Sequence, residues 1–375
     1  MHRVHTMVIP YIILVVILTS CASSPSPSQG TSATRTISTS TPTGTTPTPQ
    51  ITSTLTPHKP ALRHIFLIMM ENHATNQIIG NNADAPYLNQ LAATYGVATH
   101  YFGVTHPSLP NYLAAISGDF QNIWDDCPAG ETVTCSPQEA LSLLTQEQVA
   151  SASARPHMFN GQTIVDQLEA HNLTWKAYMQ SLPSTGYTGE SYGLYAQKHN
   201  PFMYFTRIRN NPASMQRIVP LTQISQDIQS GSVPNFAWIS PDACHDMHGA
   251  PDCAAYDPVI ALGDQFVHSI VQEIIHSTAW QEGSAIVVTW DENYTGFSGC
   301  CKSPTGVNGS IIGGADVPII IMTSQGPRHI VLGDSPYNHY SLLATIERLW
   351  SLGCLANTCD TAHVPPMTDL VGPQG

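Results

Sequence analysis

The chain has 375 residues, 42% hydrophobic and only 10% charged, with 13 Lys and Arg against 26 Asp and Glu and a formal charge of −13. That much apolar sequence can fill a core, which excludes global disorder, and the acidic balance excludes a nucleic-acid partner, whose phosphate backbone calls for a basic surface. The nine Cys and 17 His are the unusual counts.

In chain order, Met7 to Leu18 (MVIPYIILVVIL) is an apolar run behind Arg3. It is too short for a membrane span of about 20 residues and suits the core of a signal peptide. It ends in Leu18-Thr19-Ser20-Cys21, which resembles a bacterial lipobox whose cysteine becomes the lipidated N-terminus. Residues 22–60 are dominated by Ser, Thr and Pro, a composition that buries too little to offset the entropy of ordering and reads as a tether. The expected organisation is a lipoprotein signal peptide over 1–20, a lipidated Cys21 with its linker to residue 60, and one domain over 61–375. This places the domain at the outer face of the cell membrane, or makes it secreted if the lipobox is not used.

Within the domain, His64–Met70 (HIFLIMM), Asn235–Ser240, Ala285–Trp290 and Val317–Thr323 are short apolar runs expected as buried strands of a parallel sheet. Tyr87–Tyr95, Thr163–His171, Pro258–His276 and His339–Leu352 carry helical spacing, the last with Asn338 as N-cap. Ala98–Val104 reads as a further strand and Asn111–Ile116 as a helix. Alternation of strands and helices gives an α/β fold, a three-layer sandwich with a mostly parallel central sheet. Eight cysteines remain for bridges in an oxidising compartment: Cys127, Cys135, Cys244, Cys253, Cys300, Cys301, Cys354 and Cys359. The simplest pairing is 127–135, 244–253 and 354–359, with the adjacent Cys300 and Cys301 bonded to each other or exchanging with the 244/253 loop.

Ligands of open α/β sheets bind at the carboxyl ends of strands, and two of these strands run into acidic clusters, Glu71-Asn72-His73 and Asp291-Glu292-Asn293. Carboxylates emerging from a buried sheet need neutralising, and a divalent cation of hard or borderline character matches the oxygen-rich set. A third cluster, Thr105-His106-Pro107-Ser108-Leu109-Pro110-Asn111-Tyr112, puts Ser108 at a strand-to-helix turn, where helix N–H groups and a cation can hold a phosphate. His106, His199, His245 and His248 supply imidazoles for ligation, phosphate binding or proton transfer. With four lysines in all (Lys59, Lys176, Lys198 and Lys302), phosphate is expected to be neutralised by metal and histidine and not by lysine.

These motifs, together with Lys198-His199-Asn200-Pro201-Phe202, Ser240–His248, Thr289-Trp290-Asp291-Glu292-Asn293 and Asn338-His339-Tyr340-Ser341, occur in the order seen in the bacterial phosphoesterase family, which the chain resembles over about residues 62–352. That family holds secreted acid phosphatases and phosphocholine-type phospholipases C and has an alkaline-phosphatase-like fold. The resemblance implies metal-assisted hydrolysis of phosphate monoesters, of the acid phosphatase and phosphoinositide phosphatase type, through a phosphoserine intermediate. It assigns Glu71, Asn72, Asp291 and Glu292 to the metal, Ser108 to the nucleophile, His106, His199 and His248 to catalysis, and Asn111 and His245 to substrate. The expected partners are a phosphate ester and, through Cys21, the membrane. The alternatives are a phospholipase C cleaving phospholipid headgroups and a catalytically inactive surface-binding lipoprotein.

Overall fold

The structure is a computed structural model and describes residues 62–133, 142–253 and 258–371. The signal peptide, Cys21, the linker and Cys135 lie outside the described residues. Eight strands form one sheet: β1 (His64–Met70), β2 (Gly96–Ala98), β3 (Trp175–Met179), β4 (Ile218–Pro220), β5 (Phe236–Ser240), β6 (Ser284–Trp290), β7 (Ile319–Thr323) and β8 (Ile330–Leu332). Their spatial order is β8-β2-β7-β6-β1-β5-β3-β4. Every residue of β1, β5, β6 and β7 is buried, which explains why these strands are continuous apolar runs without alternation.

Five of the helices frame the site and the core: α1 (Pro86–Thr94), α2 (Ser108–Ser117), α3 (Ile164–Ala170), α4 (Val259–Ile275) and α5 (His339–Leu349). α1 packs against α4, and α2 packs against α3 and α5, so two helix groups cover the sheet. α2 is buried on all sides, as an apolar helix in the centre of a large domain must be. α5 starts where expected: Asn338 Oδ1 accepts from the N–H groups of Tyr340 and Ser341 at 3.0 and 3.3 Å.

Three expectations are corrected. β7 is antiparallel to both of its neighbours, β6 and β2, whereas it was expected parallel. The connection 291–318 carries one short 3₁₀ turn and no helix, so the chain lacks the crossover that a parallel neighbour needs. The segment Ala98–Val104 is divided between β2 and a separate pair, Tyr101–Phe102 beside Tyr337–Asn338. α2 begins at Ser108, three residues before the expected start, with Pro107 in the extended N-cap position. The bridges Cys244–Cys253, Cys354–Cys359 and Cys300–Cys301 are present. Cys127 is also disulfide-bonded.

Candidate active site

Parallel pairing of β1 with β6 aligns Met70 with Trp290, so the residues that follow, Glu71 and Asp291, leave the sheet side by side. The Asp291 N–H donates to Met70 O at 3.0 Å, and the Asn72 N–H donates to Asp291 Oδ1 at 3.0 Å. Asn72 takes a left-handed backbone (φ 53°), which Asn tolerates better than most residues and which turns the chain over the strand end. From the other neighbour of β1, the loop after β5 supplies Asp246, whose carbonyl accepts from the Glu71 N–H at 2.8 Å.

The Ser108 turn reaches these carboxylates through a contact only glycine permits. A Cβ on Gly103 would lie 2.7 Å from Asp291 O, and one on Gly314 would lie 2.6 Å from Thr105 O. The turn itself is held by Asn111, whose Oδ1 accepts from the N–H groups of Val104 and Thr105 while Nδ2 donates to Thr105 O and Pro107 O. Ser108 Oγ then donates to Glu71 Oε2 at 3.0 Å, and the Tyr112 hydroxyl, one turn further along α2, donates to Glu71 Oε1 at 2.6 Å.

A cleft of about 290 Å³ opens over this arrangement. Ser108, Asn72 and Glu292 line it together with His106, His248, Lys198, Asp126 and Tyr294. His106 is fixed from both sides: Nε2 donates to Gly296 O at 2.7 Å, and Nδ1 faces the Glu292 carboxylate. His248 donates Nδ1–H to Gly249 O at 2.8 Å, which leaves Nε2 for a ligand.

Three of the expected catalytic and substrate residues lie outside the cleft lining. His199 is buried behind the cleft, stacked on Tyr112, with Nε2 3.2 Å from Glu71 Oε1 and Nδ1 3.2 Å from Asp246 Oδ2. His245 is held by Asp242 at 2.8 Å and is absent from the cleft lining. Asn111 is fully buried with both its oxygen and its nitrogen bonded to backbone, so in this conformation it shapes the turn and offers nothing to the cleft. His339 is a strut: Nε2 donates to Asp291 O at 2.6 Å, and Nδ1 accepts from the Tyr101 hydroxyl at 2.9 Å.

Burial governs the electrostatics. It raises the Glu71 carboxyl to about 7 and raises Asp246 to about 7. Asp291 is also driven well above the usual carboxylate range, first by burial and then by Glu71. Burial lowers His199 to about 4, so this imidazole is neutral. Among the described residues, Asn72 Oδ1 and Asp291 Oδ2 are buried without a hydrogen-bond partner. Orphaned hard oxygens beside carboxylates that burial disfavours as anions are what a cation would satisfy, so these residues fit a metal ion.

A second cluster, Asp125, Cys127 and His157, brings its ligand atoms within 4.8 Å of one another. Its sulfur is in a disulfide, and Asp125 Oδ1 is already bonded to His157 Nε2 at 2.7 Å and to the Cys127 N–H at 3.0 Å, which reads as a structural hydrogen-bond group.

Sequence reasoning singled out neither Asp246 nor Tyr112 nor Asp126. Each lies within or near a polar motif, but its relation to Glu71 or Ser108 exists only in the folded chain.

The chain is 25% identical to a probable acid phosphatase of Kluyveromyces lactis over 81% of its own length and 62% of that protein's. It is 26% identical to a phosphatidylinositol-3-phosphatase of Mycobacterium tuberculosis, over 84% of each. It thus spans about three-fifths of the length of the yeast acid phosphatase. Its fold is shared with a protein from a Bacteroides thetaiotaomicron locus for glycosaminoglycan metabolism, at a TM-score of 0.52 and 10% identity over 84% of this chain and 82% of that one. The model of the phosphoesterase family matches residues 81–353, and the chain belongs to that family.

Proposed function

We infer that the protein hydrolyses phosphate monoesters, with Ser108 as the nucleophile and a divalent metal ion held by Glu71, Asn72, Asp291 and Glu292. One observation carries the reading: Ser108 Oγ, at the start of a buried helix and on the wall of the cleft, donates its proton to Glu71 Oε2. That bond turns the oxygen lone pairs towards an incoming phosphorus. When bound, the metal supplies charge neutralisation for the phosphoryl oxygens and for the serine oxygen.

The chain's own residues do the rest. Ser108 Oγ attacks phosphorus in line as the ester oxygen leaves, giving a phosphoserine, and its proton is taken up on the Glu71 side. His248, with Nδ1 committed to Gly249 O, presents Nε2 as the proton donor to the leaving oxygen. Water then cleaves the phosphoserine by the reverse geometry. His106, clamped between Gly296 O and Glu292, keeps the wall of the cleft rigid. Through the lipidated Cys21 of the sequence reading, this activity belongs at the outer face of a membrane.

The test is Ser108→Ala, assayed with p-nitrophenyl phosphate. The expected result is a loss of at least about 1000-fold in kcat with an unchanged far-ultraviolet circular dichroism spectrum. Near-native turnover by the folded variant refutes the mechanism. The same assay on membrane and soluble fractions of wild-type cells reads where the activity resides.

A further inference from the structure

We propose that Lys198 is the specificity-determining residue that selects phosphate monoesters over diesters, by pairing with the second anionic oxygen that only a monoester offers. The inference rests on the hydrolase reading above and deepens it. Among the described residues that line the cleft, Lys198 is the one with a fixed cationic side chain, in a chain with few lysines.

Its position is built. One carboxylate, Asp126, accepts from Lys198 Nζ through Oδ2 at 2.9 Å and from the Leu109 N–H through Oδ1 at 2.9 Å, which ties the ammonium to the residue next to Ser108. From behind, the carbonyl of the adjacent His199 accepts from Ser240 Oγ at 2.8 Å, anchoring the Lys198 segment to the end of β5. An ammonium has three N–H donors, and Asp126 takes one of them. The remaining donors are available to the cleft that Lys198 shares with Ser108. Burial works against the charged form, and the adjoining Asp126 carboxylate outweighs it and holds the ammonium charged.

Discrimination follows from the charge on the substrate. Near neutral pH a phosphate monoester is largely a dianion, because its second ionisation lies near 6. A diester carries one charge, and its second substituent occupies the place of an anionic oxygen. A diester therefore leaves the ammonium facing an ester group, with a half-buried cation deprived of the partner for which it is positioned.

The experiment compares kcat/KM for p-nitrophenyl phosphate and methyl p-nitrophenyl phosphate, which share a leaving group. The full chain is used as wild type, Lys198→Gln, and Lys198→Gln combined with Asp126→Asn, which removes both charges of the pair so that no carboxylate is left unpartnered. The expected result is a fall of about 100-fold for the monoester and of less than about 5-fold for the diester, so that the ratio collapses. Equal losses on both esters, or no loss on either, overturn the assignment. Binding of inorganic phosphate and of dimethyl phosphate to the wild type and to Lys198→Gln, read by calorimetry, gives an arm independent of turnover. A preference for the phosphate dianion that shrinks in the variant supports the role of Lys198, and an unchanged preference refutes it. A wild type that turns over neither ester defeats the hydrolase reading, while the calorimetric comparison still decides on Lys198.

Discussion

Asp291 shows how much one residue is asked to do. Its backbone N–H continues the pairing of β6 with Met70, its carbonyl accepts from His339, its Oδ1 caps the Asn72 N–H, and its Oδ2 is buried and unbonded among the described residues. Three of these contacts are structural, and the fourth atom is the one left for a cation. Asp291→Asn keeps the shape and the acceptor for Asn72 and removes the charge. Calorimetric titration of the chelator-treated protein is therefore expected to show divalent-metal affinity reduced by at least about 10-fold, with the thermal midpoint of the metal-free protein unchanged or raised, because a buried carboxylate has been neutralised. Undiminished affinity refutes the ligand assignment. The sequence made Asp291 conspicuous because an acidic residue stands directly after an apolar strand. It gave no such sign for Lys198, whose link to the nucleophile runs through Asp126, far from it along the chain, or for Asp246, which meets Glu71 only through strand pairing. Asn111 carried the opposite signal: a polar residue beside the serine suggested a substrate contact, whereas four backbone groups absorb its hydrogen-bonding capacity.

At the level of elements, the long apolar strands and the amphipathic helices were legible, His64–Met70 to the residue and α5 together with its cap. Strand direction was not, since a run buried on both faces, such as Ile319–Thr323, has no polarity that distinguishes parallel from antiparallel. The short strands β3 and β4 escaped because Lys176 interrupts the first and Pro220 ends the second. The start of α5 is an element-scale joint. Asn338 Oδ1 caps the helix while its Nδ2 donates to the carbonyls of Cys300 and Cys301 at 3.2 and 3.1 Å. Asn338→Ala loses both functions and is expected to lower stability by about 1–3 kcal/mol in urea unfolding. Asn338→Ser keeps a capping oxygen without adding a buried charge and loses the donors to Cys300 and Cys301, so its cost should be smaller. Equal costs for the two substitutions contradict the view that the cap dominates.

Across the whole molecule, buried acids set how stability varies with pH. Glu347 on α5, away from the cleft, is nearly inaccessible, and burial raises its carboxyl from 4.5 to about 7. The folded protein thus holds this proton more tightly than the unfolded chain. The contribution is fully present below about 4.5, fades as pH rises, and is lost above about 7. Glu347→Gln fixes the neutral form, keeps an acceptor for Gln167, and should remove about 1–3 kcal/mol of the decline in stability between pH 5 and 8 relative to wild type, as read from paired urea titrations. Parallel pH profiles for the two proteins refute the assignment. The alignment of Met70 with Trp290 has a further meaning for the order in which the chain is made. A ribosome delivers Glu71 and Ser108 within the first third of the 375-residue chain and Asp291 only in its last quarter. A nascent chain that ends before Asp291 lacks one of the two carboxylates, so the proposed metal site can form only after more than three-quarters of the 375 residues have been made.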